Sequence, residues 1–225
     1  MKKITILILM VFGYFSNASA IEGVNFGVSL TAGVFEADGG KEEFKGAHVG
    51  GASPGDITAT AVDSPEAAVM IGSLFLEKEI GMFALGVDYV PHSMDTDTSE
   101  NIVAPAGNAS KTNSVKVSFE DLLTVYGTAQ LGDAGLYAKV GYVQVDAVTQ
   151  ETLATGGAYG DAELDGYTIG LGYARDIEND MFVRMEAMYM DFDGATLVNT
   201  TDSTKSVTAD GISGYGARLS IGRAF

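Results

Sequence analysis

Apolar and small or polar side chains alternate one for one along eight stretches of this chain, and a period of two predicts strands with one apolar face. In the first, Val24 to Val34, Val24, Phe26, Val28, Leu30, Ala32 and Val34 share a face opposite Asn25, Gly27, Ser29, Thr31 and Gly33. In the sixth, Tyr167, Ile169, Leu171 and Tyr173 oppose Thr168, Gly170, Gly172 and Ala174. The third sets Phe83, Leu85, Val87 and Tyr89 against Ala84, Gly86 and Asp88 until Pro91 ends it, and the fifth sets Leu136, Ala138, Val140 and Tyr142 against Tyr137, Lys139 and Gly141. Val183, Met185, Ala187 and Tyr189 oppose Arg184, Glu186 and Met188 in the seventh. The eighth, from Gly214 to Phe225, sets Tyr215, Ala217, Leu219 and Ile221 against Gly216, Arg218, Ser220 and Gly222. The fourth, Phe119 to Leu131, is less regular, with Leu123, Val125, Ala129 and Leu131 opposite Thr124, Tyr126, Thr128 and Gln130. The second, Ala67 to Leu76, is apolar on both faces, and its phase stays open.

The bulky face is apolar and the opposite face small and polar, the reverse of a soluble barrel that buries bulk inward and shows charge outward. Lipid outside and a crowded polar lumen inside account for this pairing. The joins alternate in length. Short ones fall at Glu77 to Gly81, Gly132 to Gly135 and Arg175 to Asp180, and long ones near 36–66, 92–117, 147–165 and 191–210. This predicts an all-β fold, an eight-stranded antiparallel transmembrane β-barrel of up-and-down meander type, with its long loops gathered at one end. A soluble lipocalin-like barrel is the rival fold.

The N-terminal end supplies an address. Lys2 and Lys3 precede an apolar run from Ile4 to Phe15 and then Asn17-Ala18-Ser19-Ala20, the pattern of a secretory signal cleaved after Ala20. The run is shorter than the roughly 20 residues that a membrane-spanning helix needs. Residues 1–20 are therefore read as signal and 21–225 as a single barrel domain. The formal charge is −17, from 30 acidic residues against 13 basic ones, and it deepens when Lys2 and Lys3 are removed. Phosphate-backbone recognition requires clustered bases, so nucleic acid is excluded as a partner. There is no cysteine, which excludes disulfides and thiolate-bound metal.

The whole of the predicted mature chain resembles the small eight-stranded bacterial outer-membrane barrels of the OmpA-barrel and OmpX type and related porin-family proteins. The resemblance rests on pattern rather than on a unique motif. It implies short periplasmic turns, long extracellular loops, residence among outer-membrane lipid and delivery by the outer-membrane assembly machinery. In those proteins a terminal aromatic preceded by alternating apolar residues is the assembly signal, and Tyr215, Leu219, Ile221 and Phe225 match it here. Arg223 departs from the pattern, standing where the family has another apolar or aromatic residue.

Candidate chemistry concentrates on the inward face. Asp88, Lys139, Arg184, Glu186 and Arg218 all carry charge there. Facing lipid at the bilayer midplane, Arg or Lys would cost about 2–4 kcal/mol each, so inward placement is favoured. An eight-stranded lumen is only wide enough to be filled by side chains, so the five are expected to form one ion-paired plug, with Arg184 and Arg218 flanking Glu186. Two readings follow: a plug that satisfies its own buried charges, or a gate that rearranges to pass ions or small solutes.

The long joins are acidic. Residues 36–66 hold seven acids against two lysines, and residues 147–165 hold Glu151, Asp161, Glu163 and Asp165 without a base. Divalent cations are candidate partners of such oxygens, but Asp161 to Gly166 and Asp95 to Glu100 copy only fragments of a calcium loop, and a solvated acidic surface explains them equally. No resident metal or cofactor is expected. His48 and His92 fall in predicted loops outside any hydrolase motif, and the chain is read as a non-enzyme. Tyr89, Tyr142, Tyr167, Tyr173, Tyr189 and Tyr215 are read as interfacial anchors. Asn108 and Asn199 begin sequons best explained as loop composition. The functional expectation is a scaffold displaying acidic loops for surface interaction, with a narrow porin-like channel as the alternative.

Overall fold

A computed structural model of the chain describes residues 22–45, 57–62, 66–103, 111–152 and 157–225. The predicted signal, His48 and the Asn108 sequon lie outside them. The strand segments are β1 (Val24–Ala37), β2 (Gly40–Lys45), β3 (Ile57–Val62), β4 (Glu66–Ile80), β5 (Phe83–Tyr89), β6 (Met94–Asp95), β7 (Ser99–Val103), β8 (Lys111–Gln130), β9 (Leu136–Thr152), β10 (Ala162–Asp176), β11 (Met181–Val198) and β12 (Lys205–Ala224).

These segments form eight lines of wall, all neighbours antiparallel. Along β12, β1 ends opposite Ile212 and β2 resumes opposite Ala209, so the two are one line with a short break. β3 lies against β2 as β4 lies against β1, and β6 and β7 continue the line of β5 along β8. The ring closes where β12 pairs β1 from Asn25↔Ala224 to Ala37↔Ile212. Phe225 completes the closure through its backbone: its N–H donates to the Val24 carbonyl at 2.9 Å and its carbonyl accepts from Gly23 N–H at 2.6 Å.

The faces follow the alternation. Val28, Leu30, Leu85, Val140, Ile169, Leu171, Met185 and Leu219 stand exposed on the outer wall, while Asn25, Ser29, Thr31, Thr124, Thr168 and Ser220 are buried inside. Exposed apolar side chains this numerous make a lipid-facing belt, and the fold is that of a membrane β-barrel. The short ends are tight. Gly81 takes the positive φ of 65° at the β4–β5 turn, and Asn179 and Asp180 take 64° and 59° between β10 and β11, where their short polar side chains tolerate the left-handed region.

Two sequence expectations need correction. The predicted long joins are largely strand: β8 begins at Lys111, β9 runs to Thr152, β11 to Val198, and β12 starts at Lys205. At about 3.3 Å per residue a tilted strand needs only about ten residues to cross a bilayer, so these walls stand well clear of it. Beyond the lipid both faces meet water, so ladder pairs such as Thr196↔Thr208 continue without apolar alternation to announce them. The second predicted strand also extends, from Glu66 to Ile80, and is phased with Ile71, Ser73, Phe75 and Glu77 inward. The predicted join at Glu77 therefore shrinks to Gly81 and Met82, and Glu77 is a lumenal residue.

Inside, the barrel has two layers. Toward the short turns the lumen is charged. Toward the rim it is apolar, packed by Ile71, Val90, Leu122, Val143, Val145, Leu164, Met188, Met190 and Phe192.

Candidate functional site: the lumenal charge plug

Six charged side chains from five wall strands meet in the lower lumen. Arg184 on β11 donates through Nη1 and Nη2 to Oε2 and Oε1 of Glu77 on β4, at 2.9 and 2.7 Å. Glu77 also accepts from Asn25 Nδ2 at 3.2 Å and from the Tyr126 hydroxyl at 3.1 Å. Four donors on one carboxylate leave none of its oxygens idle, which is what a buried anion requires. Lys139 on β9 donates to Oε1 of Glu186 on β11 at 3.1 Å, and the Tyr137 hydroxyl donates to Oε2 at 3.0 Å. Arg218 on β12 reaches Oδ2 of Asp88 on β5 at 3.2 Å and donates through Nε to Thr31 Oγ1 at 2.9 Å. Ser73 adds a hydrogen bond to the same Asp88 oxygen at 3.0 Å.

Aromatic rings fill the space between the pairs. Lys139 Nζ lies 4.2 Å from the Tyr126 ring centre, and the Arg184 guanidinium lies 4.5 Å from that of Phe182. Room for the tyrosines comes from glycines on neighbouring strands: a Cβ on Gly86 would sit 2.5 Å from Tyr126 Cζ, and one on Gly172 would collide with Tyr137. The remaining cavity, lined by Asp88, Tyr126, Tyr137, Lys139, Glu186 and Arg218 among others, is only about 10 Å³, the space of about one water. Asp88 Oδ1 and Thr124 Oγ1 are buried without a hydrogen-bond partner.

The structure thus brings Asp88, Lys139, Arg184, Glu186 and Arg218 into one lumenal layer, but with pairings other than the expected ones. Glu186 binds Lys139 rather than Arg184 or Arg218. Pairing follows reach across the lumen more than neighbourhood along a strand. The residue that sequence reasoning missed is Glu77. Its signal was present twice: the set of five carries three cations against two anions, and Ser73, Phe75 and Glu77 share one face of β4.

The terminal residues face out. Tyr215, Leu219, Ile221 and Phe225 are all exposed on the outer wall. Arg223 lies 3.8 Å from Asp180 and 5.3 Å from the Phe225 ring centre, a cation held at the strand end. Tyr189 packs against Tyr215 at 4.9 Å and Tyr167 at 6.2 Å between ring centres. The hydroxyls of Tyr89, Tyr142 and Tyr189 donate to Asp121, Asp165 and Asp191. Rings toward lipid and hydroxyls on carboxylates mark where the apolar belt gives way to water.

Above this level the acids are engaged singly. Asp161 accepts from Thr149 N–H at 3.0 Å, Glu163 from Gln144 at 2.8 Å, and Asp95 from Lys116 at 2.6 Å and Ser118 at 2.5 Å. The two hydrogen bonds hold the Asp95 carboxyl below its usual range. Among the described residues no three acids or histidines gather as a metal site. His92 accepts at Nε2 from Gly72 N–H at 3.2 Å, with Nδ1 3.2 Å from the Ser93 carbonyl, the arrangement of an Nδ1–H tautomer.

No family model matches the chain, and no curated protein matches it. Solved structures do. The outer membrane protease OmpT from Escherichia coli is 12% identical, covering 93% of this chain and 99% of that one with a TM-score of 0.38. Ail, the attachment invasion locus protein of Yersinia pestis, is 11% identical over 86% and 98%, with a TM-score of 0.34. A Pseudomonas aeruginosa FadL homologue is 9% identical over 90% of each chain, with a TM-score of 0.36. At these values the barrel is read from its own strand pairing, and no activity passes from these proteins to this one.

Proposed function

We propose that the protein is a closed scaffold of the bacterial outer membrane, exported by a signal cleaved after Ala20, whose work is done by the acidic rim that its long strands hold clear of the lipid. The observation that carries this reading is the lumen: three ion pairs and their tyrosines leave about 10 Å³, too little for a hydrated ion to pass. A filled lumen gives rigidity, and rigidity suits display. Glu36, Asp38, Asp97, Glu120, Asp193 and Asp210 are among the acids that crowd the rim-side half, so the display would favour cationic surfaces and divalent cations. The reading needs no catalytic residue.

The second reading is a gated channel, favoured by the unpartnered Asp88 Oδ1 and Thr124 Oγ1, which a passing cation or water would satisfy. Planar-bilayer recording on the refolded protein separates the two. The scaffold predicts no single-channel steps, and steps altered by Glu186→Ala or Arg184→Ala would replace it with the gate. On cells, replacing Glu36, Asp38, Asp97, Glu120, Asp193 and Asp210 together with their amides is expected to leave heat-modifiable gel mobility intact and to reduce adhesion to a polylysine surface. Unchanged adhesion would sink the display reading.

A further inference from the structure

The ladder between β4 and β5 stops at Leu74↔Tyr89, although β4 runs on to Glu66 beside β1. Two residues further, the next rung would set Gly72 opposite Pro91, which has no N–H to give. The chain turns away instead: Val90 N–H donates to the Leu122 carbonyl at 3.0 Å, and the segments that follow, β6 and β7, pair with β8. A seam therefore runs up the wall beside β4 from Gly72. The tie that the described residues show across it is a side chain, His92, whose Nε2 accepts from Gly72 N–H at 3.2 Å.

That tie depends on one proton. A neutral imidazole has one donor and one acceptor, and with Nδ1 set 3.2 Å from the Ser93 carbonyl the acceptor is Nε2. The imidazolium donates from both nitrogens, so it points an N–H at the Gly72 N–H and the bond is lost. Histidine side chains cross between these forms at about pH 5–8. Water can deliver the proton, because His92 is exposed and stands past Tyr89, one of the tyrosine–carboxylate pairs that mark the lipid boundary.

The surroundings give the cation another place to go. Together with Tyr89, Ser93, Glu120 and Asp121, His92 lines a cavity of about 240 Å³ to which no described residue of β4 contributes, so an imidazole that turns into it leaves Gly72. Glu120 and Asp121 of β8 bring two carboxylates to that cavity, and Asp121 also accepts from the Tyr89 hydroxyl. Asp95 of β6 is already held by Lys116 and Ser118 of β8. On the other side, β4 has no charged residue between Glu66 and Glu77, and Leu30, Thr31 and Ala32 beside it on β1 carry none.

We propose that His92 is an acid-released latch: neutral, it pins β4 to the chain beyond Tyr89, and protonated, it lets Gly72 go and pairs with Glu120 and Asp121. The β1 ladder and the buried Ile71 keep β4 in the wall, so acid opens a strand edge without unfolding the strand. The proposal stands apart from the display reading, since it rests on one hydrogen bond and not on what the rim meets.

Amide hydrogen exchange on the isotope-labelled protein, folded in micelles, reads the latch. As pH falls from about 8 to about 5, Gly72 exchange, corrected for the intrinsic rate, should rise about five- to tenfold, the factor that one net hydrogen bond is worth, with the same midpoint as the His92 ring signals. The Leu76 amide, paired with Val87 inside the ladder, should not change. In His92→Phe the step should vanish, with Gly72 exchanging fast at both ends of the range. Glu120→Gln with Asp121→Asn keeps the latch but removes its carboxylates, so release should need more acid, and asparagine suits the left-handed φ of 54° at position 121. A Gly72 step that survives in His92→Phe, or no step in the native protein while the His92 ring titrates, overturns the latch. Release at an unchanged pH in the Glu120 and Asp121 double variant overturns the pairing. His92→Ala takes the place of His92→Phe should the latter lose heat-modifiable mobility.

Discussion

The guanidinium of Arg184 grips both oxygens of Glu77 across the lumen, tying β11 to β4 through two hydrogen bonds of 2.9 and 2.7 Å. Neither strand neighbours the other in the wall, so the pair acts as a strut between distant arcs of the ring. Removing one partner leaves the other charge buried and alone, which costs about 3–5 kcal/mol. Glu77→Ala is therefore expected to lower the urea midpoint of the micelle-folded protein sharply. Glu77→Leu combined with Arg184→Met should recover most of the loss, because the desolvation of both charges disappears together. A double variant no better than the single one would contradict the strut.

Gly86 is an interior residue whose missing side chain is occupied by Tyr126. Gly86→Ala puts a methyl 2.5 Å from the ring carbon and pushes the hydroxyl off Glu77. Overpacking of this kind costs about 1–3 kcal/mol. Equilibrium unfolding should show that loss, and Gly86→Ala in a Tyr126→Phe background should show nearly the same steric part without the hydrogen-bond part.

The outer wall makes an independent prediction. Leu171 stands 63% exposed in the middle of the apolar belt. Leu171→Arg should destabilise the folded barrel in lipid by about 2–4 kcal/mol, the depth-dependent cost of a cation facing the bilayer core. The same substitution at Ile177, in the turn between β10 and β11, should cost far less. Unfolding in lipid vesicles measures both.

At the rim, Asp95 fastens β6 to β8 through Lys116 and Ser118. Its carboxyl is held below the ordinary value, so its support for the rim is fully present above the unfolded-state value and is lost as pH falls through the lowered folded one. Hydrogen exchange of the Thr96 amide, which donates to the Val117 carbonyl, should therefore quicken, after correction for the intrinsic rate, between about pH 4 and lower values. In Asp95→Asn that acid-induced step should vanish.

The eight walls, and the face of each alternating strand, could be read from the sequence because lipid and lumen impose opposite demands on successive residues. Leu30, Leu171 and Leu219 against Thr31, Thr168 and Arg218 leave no other phase. Where one of those media is missing, the signal fades. β4 near Ile71 faces the apolar upper lumen on one side and lipid on the other, so its sequence is apolar throughout and its phase was silent. The rim strands face water on both sides, so Thr196 and Thr208 pair without declaring themselves. The plug was legible as a set of charges but not as a wiring diagram, since partners such as Glu77 and Arg184 are joined by the geometry of closure rather than by spacing along the chain. The seam at Pro91 was half visible: the proline announced an end to pairing, but not that the far edge of β4 would continue without it.

The buried network joins three cations, Lys139, Arg184 and Arg218, to three anions, Glu77, Asp88 and Glu186. Inside the membrane this molecule is thus electrically silent, and an applied voltage finds no net charge in the plug to push. The surplus behind the overall −17 is carried elsewhere, where water and salt reach it. A Debye length of about 8 Å at physiological ionic strength will shorten the range over which the acidic rim attracts a cationic surface. Salt then becomes a control on what the protein meets, while leaving what holds it together almost untouched.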